Sequence, residues 1–286
     1  MEEACVLEEG ELEKYWDYVA LEAKDSEKWR RIEKWRKVAR NWLADYADKR
    51  AYDFVLKVLN QVVGLDKSAK ILDVGCGPGK WSMFLAKKFG SVTAVDVSPE
   101  MILLAKENAR KHGLRNVAFH VMDASKLNFP DAVYDFVNCV TVLQHIHDDE
   151  RWRMAIREIV RVTRTGGYML LFETAPNIAI IKRTRHLKIR TMRQYIYEFK
   201  NAGASLVYWR AVDLSLPITL LGLRAYAASF NKRVYYFISK SRWVPAGLLS
   251  FFSWAAALLA GLIDYRLAET PLSFLSFGRI LLFRKN

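Results

Sequence analysis

The stretch Ile71–Ala86, ILDVGCGPGKWSMFLA, constrains this chain more than any other. It sets Gly75, Gly77 and Gly79 within five residues, between an apolar run and the start of an amphipathic segment. Glycine is used where the backbone needs unusual dihedrals or where another group must come close to it. A glycine turn between strand and helix, at the carboxyl end of a parallel strand, is where open α/β sheets bind their ligands. The stretch therefore predicts a strand, a ligand-facing turn and a helix.

The residues after Ala86 repeat the pattern. SVTAVDVS is a short β-branched run, and SPEMILLAKENARKHG is a helix with Ser98 as cap, Pro99 at its first position and Gly113 at its end. NVAFHVMD and YDFVNCVTVL read as the third and fourth strands, and DDERWRMAIREIVRVTRTGG as a helix with acids first and bases last. GYMLLFET is a fifth strand; RQYIYEFKNAG, SLVYWRAVD and LSFLSFGRILLFRKN continue as helix, strand and strand. Such alternation predicts a doubly wound, mostly parallel α/β sheet. Residues 11–63 read as charged helices carrying Trp16, Trp29, Trp35 and Trp42. The expected organisation is a helical lid over 1–65, a sheet domain over 66–286, and a helical insertion over about 214–271 before the last strand.

Three acids fall at three successive strand ends. Asp73 precedes the glycine turn, Asp96 ends the second strand 21 residues after Gly75, and Asp123 ends the third in VMDAS. A carboxylate at the Asp96 position accepts hydrogen bonds from both hydroxyls of a ribose. Each acid also has a plainer reading. Asp73 satisfies amides of the turn, Asp123 caps the segment after it with Ser125 as a rival, and Asp96 finds donors for a carboxylate on an apolar strand.

In order and spacing, Ile71–Thr174 resembles the class I S-adenosylmethionine-dependent methyltransferases, in the branch that includes the ubiquinone- and menaquinone-type enzymes. ILDVGCGPG resembles the family's first motif, VTAVDVSPEMI its second-strand motif and MDASKLNF its adenine-side motif. YDFVNCVTVLQHI, REIVRVTRTGGYMLLFE and RTMRQYIYEFKNAGASLV resemble the later signatures. The resemblance implies a Rossmann-like sheet of seven strands and S-adenosyl-L-methionine as cofactor. Gly75, Gly77 and Gly79 would admit its methionine portion, Asp96 with Val97 would hold the ribose, and Asp123 with Ala124 the adenine. Asp73, with main chain near Asn138 and Cys139, would position the amino-acid end. A nicotinamide site would instead expect G-x-G-x-x-G, and Lys80 stands where its third glycine would be.

The acceptor is less legible. His145, just after the fourth strand, and Glu173, ending the fifth, are the candidate bases; packing and capping are the alternatives for each. His147 is expected on the solvent side, with Asp148 capping the next helix. NCVT stands where nucleic-acid amino methyltransferases often carry an Asn-Pro-Pro-Tyr-type motif, and no Pro-Cys pair suggests cytosine C5 chemistry.

Charge adds a second clue. The net charge is +13, and residues 176–286 carry 17 basic and 4 acidic side chains, so the whole surplus lies there. This predicts an anionic partner. Residues 243–263 carry no charge and read either as a helix buried on the sheet or on a second subunit, or as an apolar surface that dips into a membrane; Lys182, Arg183, Arg185, Lys188, Arg190 and Arg193 precede them. Apolar insertion with a polybasic patch is the arrangement of a peripheral membrane protein. The scattered cysteines and the acidic stretch MEEACVLEEGELEK lead us to expect a cytoplasmic enzyme; the charge leads us to expect it peripheral on the inner face of a membrane, acting on a small hydrophobic or lipid-linked acceptor. The alternative is an RNA methyltransferase whose basic region binds phosphates, with Tyr195, Tyr197, Tyr208 and Trp209 available for stacking. Cys5, Cys76 and Cys139 lie too far apart for metal-ligand spacing, and no metal is expected. Nothing in the residues speaks to oligomeric state.

Overall fold

The computed structural model describes residues 11–24, 52, 55–60, 64–177, 187–211 and 278–286. The chain divides into two units, one of Met1–Asp25, Leu56–Arg210 and Gly278–Asn286, the other of Ser26–Val55 and Ala211–Phe277. The first unit carries the sheet. Trp29, Trp35, Trp42, Lys182, Arg183, Arg185 and the uncharged stretch 243–263 lie outside the described residues. No helix among the described residues is long and apolar enough to cross a membrane.

Helix α1 spans Glu11–Lys24. After it come β1 (Lys70–Val74), α2 (Lys80–Ala86), β2 (Ser91–Asp96), α3 (Pro99–Lys111), β3 (Val117–Val121) and β4 (Tyr134–Val140). A 3₁₀ turn at Leu143–His145 leads to α4 (Asp149–Val162), β5 (Thr163–Thr174), α5 (Met192–Asn201), β6 (Ala204–Ala211) and β7 (Gly278–Lys285). The seven strands form one sheet in the order β3-β2-β1-β4-β5-β7-β6. β1 to β5 pair in parallel, and β7 runs antiparallel to β5. The winding reverses between β1 and β4, which opens a crevice at their carboxyl ends.

Burial explains the composition of the strands. In β4, Phe136, Val137, Asn138 and Cys139 are all fully buried, as expected of a parallel strand covered on both faces. Helix α4 buries Trp152, Ala155, Ile156, Ile159 and Val160 against the core. Asp148 caps it by accepting the Arg151 amide at 2.8 Å.

Two boundaries differ from the sequence expectation. The fourth helix stops at Val162 rather than at the Gly166–Gly167 pair. Thr163 Oγ1 donates to the Ile159 carbonyl at 2.6 Å, and Thr163 itself pairs with Tyr134 as the first residue of β5. Asp123 lies two residues beyond β3, in the turn after it. Asp96 does end β2, in register with Val121, while Val74 pairs with Val95. The register thus brings the ends of β1, β2 and β3 out side by side.

Candidate functional site

The glycine turn closes the end of β1. Gly75, Gly77 and Gly79 have φ of 67°, 52° and 85°, a region that L side chains rarely adopt. The Cys76 amide donates to the Val95 carbonyl at 2.9 Å, and the Gly77 amide to Asp96 Oδ2 at 2.8 Å. A Cβ on Gly75 would lie 2.2 Å from Val142 Cγ2, and one on Gly79 3.1 Å from Ala105 Cβ. At Gly77 a Cβ would project into open space, and Gly77 lines the large cavity at the strand ends.

That cavity measures about 1590 Å³. The strand ends and the glycine turn contribute Gly75, Cys76, Gly77, Asp96, Val97, Met122, Asp123 and Ala124 to its lining. Helix α1, the start of α2, the loop after β4 and the segment before α5 contribute Trp16, Lys80, Trp81, Val142, His145, Ile146, His147 and Lys188. Asp96 is buried, with Oδ2 taking the Gly77 amide and Oδ1 the Ser98 amide at 3.0 Å. Burial raises its pKa above the ordinary carboxylate range. Two donors leave room on a carboxylate that offers about four lone-pair positions, so its edge suits a pair of hydroxyls.

Asp123 is more heavily engaged. Its Oδ1 accepts the Ser125 amide at 2.7 Å and hydroxyl at 2.8 Å, and its Oδ2 pairs with the Arg151 guanidinium. Burial pushes this carboxyl up, but the Ser125 donors and the Arg151 charge outweigh it and hold it below the ordinary value. The local turn with Ser125 and the cavity-lining position coexist in one residue.

Asp73, Asn138 and Cys139 sit beneath the cavity rather than on its wall. Asp73 accepts Ser82 Oγ at 2.6 Å and Asn138 Nδ2 at 2.8 Å, joining β1 to α2 and β4. Burial raises its pKa to about 6 against those hydrogen bonds. From β4 the wall begins at Val140, Thr141 and Val142. Of the three acids, Asp96 and Asp123 line the cavity, while Asp73 lies off its wall and ties β1 to α2 and β4.

The two candidate bases separate clearly. The ring of His145 meets Trp16 edge to face, with centroids 4.9 Å apart and planes at 87°, and both residues line the cavity. Glu173 does not line it. Its Oε1 accepts the amides of Val142 at 2.8 Å and Leu143 at 3.0 Å, and its Oε2 that of Gln144 at 3.1 Å. Burial pushes its pKa up to about 7 against these three amides. Glu173 thus holds the loop that carries His145. Its sequence rationale, a strand-end acid facing the crevice, is met in position but not in direction. His147, expected on the solvent side, is buried and lines the cavity.

Two of the basic residues read as a headgroup patch are committed elsewhere. Arg190 is buried, with its guanidinium 4.3 Å from the Trp152 ring, Nη2 on Asp149 Oδ1 at 2.9 Å and Nη1 on the Leu143 carbonyl at 3.4 Å. Lys188 donates to Asp149 Oδ1 at 2.8 Å and to the His147 carbonyl at 3.0 Å. Its amide also donates to the Gln144 carbonyl at 2.8 Å. Together they lace residues 187–191 to the loop after β4. Arg193 remains exposed. Tyr195, a candidate for base stacking, is fully buried, whereas Tyr197 and Trp209 are exposed. Trp81 and Arg151 join the cavity without a motif of their own; each stands just after a recognised turn or cap, which is the only signal the sequence offers for them.

The family model described as a methyltransferase domain matches residues 71–167. Ajmaline N-methyltransferase of Rauvolfia serpentina is 35% identical over 107 residues, 37% of this chain and 36% of that protein. Demethylmenaquinone methyltransferase of Listeria welshimeri is 31% identical over 122 residues, 41% of this chain and 50% of that one. The match thus spans half or less of these relatives' length. Among solved structures, the [4+2]-cyclase SpnF superposes with a TM-score of 0.55 at 26% identity, covering 82% of this chain and 80% of its own. A S-adenosylmethionine-dependent methyltransferase of Methanosarcina mazei superposes at 0.51 with 21% identity, covering 77% and 94%. Its likeness is one of fold.

Proposed function

We propose, from the chain's likeness to the class I S-adenosylmethionine-dependent methyltransferases, that the protein transfers a methyl group to a small hydrophobic or lipid-linked acceptor. The observation that carries this reading is the single cavity that brings buried Asp96 and the open face of Gly77 together with Trp16, Trp81 and His145. The strand-end part of its lining suits the family's cofactor: Asp96 its ribose, Asp123 and Ala124 its adenine, and the Gly75–Gly77 backbone its methionine portion. Bound there, S-adenosylmethionine supplies a methyl group already activated on a positively charged sulfur.

The chain's own task is then alignment and exclusion of water. Trp16, Trp81 and Ile146 offer an apolar wall on which a flat or aliphatic acceptor packs. His145, with its ring on the cavity, receives a proton where the acceptor must lose one. Glu173 keeps the His145 loop in place through three amides. The relatives named for demethylmenaquinone and ajmaline act on small molecules, which supports an acceptor of that size. The basic surplus of the last third supports a cytoplasmic enzyme that meets its acceptor at an anionic membrane face.

The test supplies cofactor with a labelled methyl group to purified protein and unmethylated extract, then divides the products by phase. Label in the organic fraction supports the reading. Label in RNA overturns the acceptor class. Cofactor binding with no transfer to any fraction overturns transfer itself, and would turn attention to other chemistry on this fold, as in the SpnF cyclase.

A further inference from the structure

Helix α1 is joined to Asp96 by a short chain of hydrogen bonds. Asp17, in the middle of α1, accepts through Oδ1 from the Ser98 hydroxyl and from the Glu100 amide at 3.3 Å. Ser98 is the N-cap of α3, and its Oγ also accepts the Met101 amide at 3.1 Å. The Ser98 amide in turn donates to Asp96 Oδ1 at 3.0 Å. One residue before Asp17, Trp16 leans on His145, and Glu13 lies one turn back on the same cavity. Ala20, one turn on, is completely buried.

We infer that Asp17 is a positioning residue that latches α1 onto α3 and so couples the acceptor wall to the carboxylate that holds the ribose. This rests on the proposed cofactor assignment. The chemistry is specific: an anionic acceptor is seated at the first turn of a helix, where amides point outward and negative charge is favoured. Among the described residues its hydrogen-bonded bridge to Asp96 runs through the Ser98 backbone and hydroxyl, and the Asp17 charge also bears directly on Asp96. Cofactor that fixes Asp96 fixes Ser98, and Ser98 fixes α1 with Trp16. The acceptor then meets a formed wall only after the cofactor is in place.

Both hydrogen bonds end on Oδ1, so Asp17→Asn can keep them and Asp17→Ala cannot. The experiment is hydrogen exchange of the α1 amides in full-length protein, with and without S-adenosylhomocysteine, for wild type and both variants. In wild type the analogue should slow α1 exchange. In Asp17→Ala, α1 should exchange at least about tenfold faster than wild type, as loss of a charge-assisted hydrogen bond implies. It should also lose the response to the analogue, while β1 and β4 remain protected. Asp17→Asn should stay within about threefold of wild type. The KM for the acceptor should rise in Asp17→Ala with kcat little changed, and recover in Asp17→Asn. Equal α1 exchange in Asp17→Ala and wild type would overturn the latch, as would an Asn variant as fast as the Ala variant. If wild type does not bind the analogue at all, the cofactor assignment and the coupling fail together. The exchange without analogue still decides whether Asp17 holds α1.

Discussion

Val142 is packed so closely on Gly75 that position 75 has no room for a side chain: a Cβ on Gly75 would lie 2.2 Å from Val142 Cγ2 and 2.8 Å from its Cγ1. The Val142 main chain is in turn anchored, its amide donating to Glu173 at 2.8 Å. The turn that faces one half of the cavity and the loop that carries His145 are thereby a single packed unit.

Gly75→Ala should consequently do more harm than Gly77→Ala, although both glycines have positive φ. At Gly77 the cost is backbone strain alone, about 1 kcal/mol. At Gly75 the same strain adds to overpacking against Val142, for about 3 kcal/mol in all. Urea denaturation of the two variants measures the difference. Calorimetry with S-adenosylhomocysteine should show Gly75→Ala losing affinity and Gly75→Ala/Val142→Ala regaining part of it.

Glu173 predicts a pH dependence. Burial raises its carboxyl from 4.5 to about 7, so the folded chain holds this proton more tightly than the unfolded one. The stability that this contributes is fully present below pH 4.5 and is lost as the pH rises through 7. Glu173→Gln cannot titrate, and its stability should fall less than that of wild type across this window. Denaturation midpoints from pH 4 to 8 check this; parallel profiles for the two proteins would refute it. The variant should also lose about 2 kcal/mol at neutral pH, since an amide cannot accept from three donors as a carboxylate does.

How much of this is legible in the residues depends on physical range. The turn, the succession of strands and helices along the chain and the position of Asp96 rest on local rules, namely glycine dihedrals, caps and the alternation of apolar runs, and these read directly; the order of the strands within the sheet does not. Asp73 and Glu173 are equally visible as strand-end acids, but which way each carboxylate faces depends on neighbours far along the chain. Asn138 and Ser82 claim the first, and the amides of the loop after β4 claim the second. Arg190 misleads for the same reason: within a basic run it looks like surface, and only the fold brings Trp152 and Asp149 to it. The end of α4 is hard to place because a Gly-Gly pair outweighs the β-branched Thr163, which the sheet recruits.

Asp96→Ala should remove cofactor binding and also unseat the turn, because the amides of Gly77 and Ser98 both end on this carboxylate. Asp96→Asn separates the two effects. It preserves one acceptor oxygen, so the fold should lose only about 1–2 kcal/mol, while the affinity for S-adenosylhomocysteine drops about 100-fold or more as both ribose hydroxyls lose a charged acceptor. Calorimetry beside thermal melting checks this. An unchanged affinity in Asp96→Ala would remove the ribose assignment.

His145→Phe and His145→Ala distinguish packing from proton transfer. Phenylalanine preserves an edge-to-face contact with Trp16, which the structure places at 4.9 Å between centroids. If His145 takes the proton, both variants should lower the rate of labelled-methyl transfer by about 10²-fold. If the ring only packs, phenylalanine should retain most of the rate and alanine should not. Binding of S-adenosylhomocysteine should stay within about threefold in either variant, because the cofactor half of the cavity does not depend on the ring.

Arg190 and Arg193 stand three residues apart in one basic run and should behave oppositely. Arg190 is buried between Trp152 and Asp149 and bonded to the Leu143 carbonyl, so Arg190→Met should cost about 2 kcal/mol of stability. It removes no exposed charge, and binding to vesicles of anionic lipid should be unaltered at temperatures where the variant is folded. Arg193 is exposed, and Arg193→Gln should leave the melting temperature within a degree or so while weakening vesicle binding several-fold, as a basic residue near an anionic surface contributes about 1 kcal/mol. Co-sedimentation at two salt concentrations reads this directly. Equal vesicle binding by wild type and Arg193→Gln would exclude that face of the chain from the membrane, and would move the search for the anionic partner to the remainder of the basic third.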